Sequence, residues 1–109
     1  MSSTRYKALV QSSVSVESYR HEIETDTDQT GSIIRYAFIA GGEPSSWTNG
    51  SWSGTWDSVT KKATGVTPTV GGTGTGANVE LADGRYDCWV QIVGGSEQPV
   101  RRFDSLVIT

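Results

Sequence analysis

One cysteine, one histidine, one methionine and three prolines are spread over 109 residues, and each scarcity removes a class of protein. A lone Cys88 cannot close an intramolecular disulfide, so the chain is no disulfide scaffold. With His21 the only histidine, a zinc site of His and Cys ligands cannot be assembled, and any Ser-His-Asp or Cys-His arrangement would have to use that residue. The nine basic residues are scattered and adjacent only at Lys61-Lys62 and Arg101-Arg102. Binding to a phosphate backbone rests on clustered positive charge, so nucleic acid is not an expected partner. No apolar run approaches the ~18 residues that span a bilayer. Residues 1 to 20 lack a basic segment followed by an apolar one, so neither a secretory leader nor a membrane partner is expected, and synthesis in a cytoplasm is.

What the chain has in quantity is glycine, serine and threonine. Thirteen glycines and a lean 35% of hydrophobic residues favour turns and short strands over long helices. The length suits one domain, 1–109, since a domain usually takes roughly 100–200 residues. Period-two alternation dominates. Tyr6, Ala8 and Val10 alternate with Arg5, Lys7 and Leu9. Val14 and Val16 alternate with serines, and Glu22, Glu24 and Asp26 fall opposite Ile23. Residues 33–40 (IIRYAFIA) read as a central strand and 85–93 (RYDCWVQIV) as the clearest strand, with Tyr86, Cys88, Val90 and Ile92 on one face and Asp87, Trp89 and Gln91 on the other. Residues 79–82 form a short strand, 94–98 a hairpin loop, and 100–108 the closing strand, with Pro99 where a strand tolerates proline. Between them, 45–56 reads as a tryptophan loop, 57–66 as room for one more strand, and 67–78 (TPTVGGTGTGAN) as a flexible connection. About seven short strands predict an all-β antiparallel sandwich.

Motifs that could carry chemistry are weak. His21 reads as an ordinary strand histidine at a surface or edge. Residues 26–31 (DTDQTG) imitate the start of a calcium loop, but Ala37 stands where the bidentate glutamate belongs, so a polar turn is expected. The glycines of 71–76 (GGTGTG) are followed by neither Lys-Ser/Thr nor a helix, which argues against a phosphate-binding loop. Glu22 and Glu24 share a strand face, as solvated charges do, without an apolar pocket to raise a pKa. No enzyme, cofactor or metal is expected.

The tryptophans are the chemistry that remains. Trp47, Trp52 and Trp56 lie within 45–56 (SSWTNGSWSGTW), and Trp89 lies on the strongest strand. The first three have three readings: rings that pin their loop to the domain's own core, anchors of a protein interface, or a platform for a glycan. The core reading is the one preferred here. For partner contact, Trp89 with Gln91 on the same face leads, with Arg101 beside them.

Residues 81–88 (LADGRYDC) put a tyrosine two positions before a cysteine at the start of the penultimate strand. That is the spacing of the tyrosine corner in immunoglobulin-like sandwiches, whose phenol bonds back to the preceding turn. In order, the chain has an acidic Thr-Gly turn (28–31), an aromatic-containing strand (33–39), paired Trp47 and Trp52, a Gly-rich connection, a Leu-x-x-Gly-x-Tyr-x-x-Trp-Val strand (81–90) and Glu-x-Pro-Val-Arg (97–101). In this order it resembles the small immunoglobulin-like virion proteins of tailed bacteriophages of actinobacteria. The resemblance implies a non-enzymatic structural protein of the virion, assembled in the host cytoplasm. Its partners would be the major capsid protein, as shell decoration, or head–tail proteins, as connector or tail component.

Overall fold

The computed structural model describes residues 8–94 and 100–109. Their strands, in chain order, are β1 (Ala8–Gln11), β2 (Val16–Glu17), β3 (Arg20–Glu24), β4 (Ile33–Ile39), β5 (Thr48–Asn49) and β6 (Ser51–Asp57), then β7 (Lys62–Val66), β8 (Val70–Gly72), β9 (Val79–Leu81), β10 (Gly84–Val93) and β11 (Val100–Ile108). The fold is all-β. A five-stranded sheet runs β1-β11-β10-β4-β5, and two three-stranded sheets run β3-β7-β6 and β2-β8-β9. Every pairing is antiparallel except β1 with β11 and β8 with β9.

Alternation explains the large sheet. Ile34, Tyr36 and Phe38 of β4, Cys88 and Val90 of β10, and Leu106 and Ile108 of β11 are buried on one face. The two small sheets cover that face, contributing Val70 from β8, Ile23 from β3, Trp52 from β6, and Val79 and Leu81 from β9. Tyr36, 0% exposed, sits at the centre of this sandwich-like core. The Tyr86 hydroxyl donates to the Ala82 carbonyl at 2.8 Å, which is the corner bond that the tyrosine–cysteine spacing led one to expect.

Several elements differ from the sequence reading. The tryptophan stretch is not a loop. It forms β5 and β6, and both Trp52 and Trp56 lie within β6. A glycine makes this possible: a Cβ on Gly50 would lie 2.3 Å from the Val66 carbonyl and 2.5 Å from the Tyr36 ring. The supposed flexible connection is also built in. Thr67 and Pro68 are buried, and β8 is buried throughout. A Cβ on Gly72 would meet the Ser13 carbonyl at 2.0 Å. In β1 the core takes Leu9, while Val10 is 71% exposed. Gln11 follows as a buried polar clasp. Its amide donates to the Val70 carbonyl at 2.7 Å and to the Ser15 carbonyl at 3.2 Å, and its oxygen accepts from Tyr19 Oη. Tyr6, the 94–98 hairpin beyond Gly94, and Pro99 lie outside the described residues.

Candidate functional site

The sole histidine is not a surface residue. β3 is an edge strand, but its alternation turns His21 inward with Ile23, while Glu22 and Glu24 face out. His21 stacks on Phe103 of β11, with centroids 4.1 Å apart and planes 9° apart, and its Nε2 lies 2.6 Å from Tyr36 Oη. Burial lowers its pKa to about 4 and raises that of Tyr36. The imidazole is therefore neutral near pH 7, and its Nε2 shares one hydrogen bond with Tyr36 Oη whose direction follows the ring tautomer. With Phe103 stacked on its face, Tyr36 meeting it edge-on and the Tyr36 and Phe103 rings also in contact with each other, and with burial as the cause of its lowered pKa, His21 joins the sheets as part of an aromatic cluster.

The other weak motifs also spend their polar groups internally. Asp28 Oδ1 accepts from the Thr30 backbone at 2.9 Å and from its hydroxyl at 2.6 Å, and these bonds lower its pKa. This is a polar turn, as the sequence suggested. In the glycine-rich stretch, the N–H groups of Gly74 and Gly76, at φ of +85° and +80°, converge on the Glu80 carboxylate at 3.2 and 2.9 Å. The nest these amides form already holds the chain's own anion. Cys88 is 1% exposed, and burial with help from Asp104 and Asp87 pushes its thiol up to about 12. A shallow polar groove on the outer side of β3-β7-β6 is lined by Glu22, Asp57, Lys62 and three threonines. Glu22 and Lys62 pair across it at 3.5 Å while largely exposed, an arrangement worth little energetically. Among the described residues, no three His, Cys, Asp or Glu side chains gather as metal ligands.

The tryptophans separate. Trp52 packs against the core and donates its indole N–H to the Ser32 carbonyl at 3.0 Å. Its ring pins β6 to the domain, in keeping with the core reading. The half-buried Trp56 has its indole nitrogen buried with no acceptor among the described residues. Trp47 stands elsewhere, with the Arg35 guanidinium 5.2 Å from its ring centroid. With Trp52 between the sheets and Trp47 over a β4 side chain turned away from the core, the three rings do not form one plane.

That other side of the large sheet gathers the most varied chemistry. Cross-strand register places Trp89 between Arg102 and Ala37, and Gln91 between Val100 and Arg35. Trp89 and Gln91 therefore share a face, as expected. Arg101 does not join them, because it pairs with Val90, whose side chain points into the core. The cause is a bulge between Cys88 and Trp89: it turns Phe103 inward onto His21 and brings Arg102 beside Trp89. Arg102 lies 3.6 Å from Asp87. Gln91 is only 8% exposed and serves as an anchor: its Oε1 accepts from Arg35 Nε at 2.8 Å. Trp89 is half-buried, with its indole nitrogen covered and unpaired among the described residues, so it offers apolar area rather than a donor. Ile33, 54% exposed, and Val100, 44% exposed, complete the face. Sequence reasoning missed Arg35, although its signal was plain: one charge inside the apolar run IIRYAFIA.

No family model matches the chain, and no match is found among curated proteins or solved structures.

Proposed function

We propose that the chain is a non-enzymatic structural protein of a tailed-phage virion that decorates or cements the capsid shell, with a head–tail connector or tail position as the variant of the same role. The observation that carries the docking part is the outer face of the five-stranded sheet. There Trp47, Trp89, Arg35 and Arg102 share the face with partly exposed Ile33 and Val100, and Arg85 lies farther along β10; aromatic residues and arginine are the types enriched at protein interfaces. The placement in a virion is supported by the ordered sequence resemblance alone.

An immunoglobulin-like topology is the finer reading of the fold. It is supported by the Tyr86 corner bond and by strand order. β11-β10-β4-β5 against β3-β7-β6 is the arrangement G-F-C-C′ against B-E-D. The extra β2-β8-β9 sheet, with its parallel pair, departs from that plan.

Mass spectrometry of purified particles tests the role. The chain should be present in mature virions at a copy number comparable with the major capsid protein if it coats the shell, and at a few copies if it belongs to the connector. Its absence from mature particles overturns the proposal.

A further inference from the structure

The outer face of β4 and β10 holds a guanidinium already fixed in place. Arg35 is partly buried, its Nε donates to a Gln91 that is itself 92% buried, and its guanidinium carbon stands over the Trp47 ring, 5.2 Å from the centroid. Its two Nη groups have no hydrogen-bond partner among the described residues. A long cation normally loses much rotamer freedom when it binds, and here that ordering has been done by the fold. The fork left over matches a carboxylate, which takes two parallel N–H···O bonds from arginine.

Charge decides what can sit on this face. The whole chain carries −3. Among the described residues of β4, β10 and β11, the register nevertheless collects Arg35, Arg85 and Arg102 on this side against Asp87, a balance of +2. A second copy applied face to face would oppose +2 with +2, since a two-fold interface presents the same patch twice. An acidic surface would instead be attracted. Apolar area for it to cover is present in Trp89, Ile33 and Val100.

We propose that Trp47, Arg35 and Gln91 form a preorganised receptor for an Asp or Glu side chain of a protein partner, and that the surrounding sheet face docks an acidic, partly apolar protein surface. This deepens the docking role proposed above and rests on it, but not on the partner's belonging to a virion.

The test uses the full ¹⁵N-labelled chain at low ionic strength, with a short peptide of alternating Asp and Leu as probe and the same peptide with Asn for Asp as its control. The acidic peptide should shift the Arg35 Nε–H and the Trp47 and Trp89 indole signals, and the effect should fade with added salt. The Asn peptide should leave them in place. Arg35→Lys keeps the charge but loses the fork, and should weaken binding about tenfold. Trp47→Leu serves the same purpose should Arg35→Lys not fold. Glu22→Gln, on the opposite sheet, should change nothing. The inference is overturned by the absence of shifts on this face, by shifts centred on Arg20 and Lys62, by undiminished binding to Arg35→Lys, or by the same signals moving with protein concentration alone. A chain absent from virions whose Arg35 still answers the acidic peptide defeats the virion role only. A chain abundant in virions whose Arg35 ignores the peptide defeats the receptor only.

Discussion

Acid should destabilise this domain through His21 before it does so through the carboxylates. In the unfolded chain the imidazole protonates with an ordinary pKa of 6.5, whereas in the fold burial holds it at about 4. The unfolded state therefore binds the proton more readily. The stability associated with neutral His21 is fully present above pH 6.5, is lost progressively as pH falls toward 4, and changes no further below that. Each pKa unit between the two states is worth about 1.4 kcal/mol, so the interval corresponds to about 3 kcal/mol. A domain of this size has roughly 5–15 kcal/mol in total, so the loss is a large fraction.

The structural reason is specific. A protonated ring would stack on Phe103 and face Tyr36 Oη without a carboxylate, leaving a buried charge whose pairing is poor. Arg101, which the register places in the same cross-strand row as Val90 and Tyr36, adds a further positive charge on that side. The hydrogen-bonded carboxylates act in a separate window. Hydrogen bonds from Thr30, and from Val59 and Thr60, hold the Asp28 and Asp57 carboxyls below their ordinary pKa of 3.8, so the stability they confer is present above about 3.8 and is lost only as pH falls further. Urea unfolding at a series of pH values should show the wild-type midpoint dropping between pH 6.5 and 4. His21→Gln offers Tyr36 an acceptor that does not titrate, and should remove most of the slope in that interval. Imidazole ¹H resonances followed by NMR should titrate near 4 in the folded chain. Parallel slopes for wild type and His21→Gln, or a folded imidazole titrating near 6.5, would refute the reasoning.

Three further outcomes follow from the packing. Gln11→Leu leaves the Val70 carbonyl and the Tyr19 hydroxyl without their partner, and should lower stability by about 2–4 kcal/mol, read as a reduced urea midpoint with an unchanged m-value. Gly65→Ala drives a methyl to 2.5 Å from Tyr36 Oη and 2.9 Å from Ile23 and Ile34. It should cost about 1–3 kcal/mol, whereas Gly41→Ala, with nothing within 4 Å, should stay within about 0.5 kcal/mol of wild type. Cys88, 1% exposed with its thiol pushed up to about 12, should resist an aromatic disulfide reagent in the folded chain and react promptly in denaturant, because the thiolate is the attacking species.

The strands that were legible are those in which alternation is written in large apolar side chains. β4, β10 and β11 run as 33–39, 84–93 and 100–108, within a residue of the reading from sequence. Their inward residues are Ile, Tyr, Phe, Val and Leu, so period two stands out against the polar positions. β7 and β8 were hidden or blurred because small residues occupy their inward positions, and β6 because serines, a glycine and a threonine separate its tryptophans. β7 buries Ala63 and Gly65, and β8 buries Val70 with two glycines. The docking face was half legible. Trp89 and Gln91 could be paired by counting along one strand, but the choice between Arg101 and Arg102 depends on the bulge at Cys88/Trp89. A bulge inverts the parity of every residue beyond it and leaves no mark in composition.

The glycines carry the deeper reason for the misread stretches, because one missing Cβ serves two unrelated ends. Gly74 and Gly76 are there for a left-handed backbone, which points two amides at Glu80, and this is the use that sequence reasoning assumes. Gly65 has no positive φ and no turn to make. It lies between His21 on β3 and Trp52 on β6 in one cross-strand row, with the Tyr36 hydroxyl 2.5 Å from where its Cβ would be. Any side chain there would displace the phenol from the imidazole. In a chain with so few large apolar residues, the sheets are joined by three aromatic rings and a histidine, and a glycine makes the room for them. The same residue type that suggests a loop is therefore the condition for the hydrogen bond between His21 and Tyr36 that links the two layers.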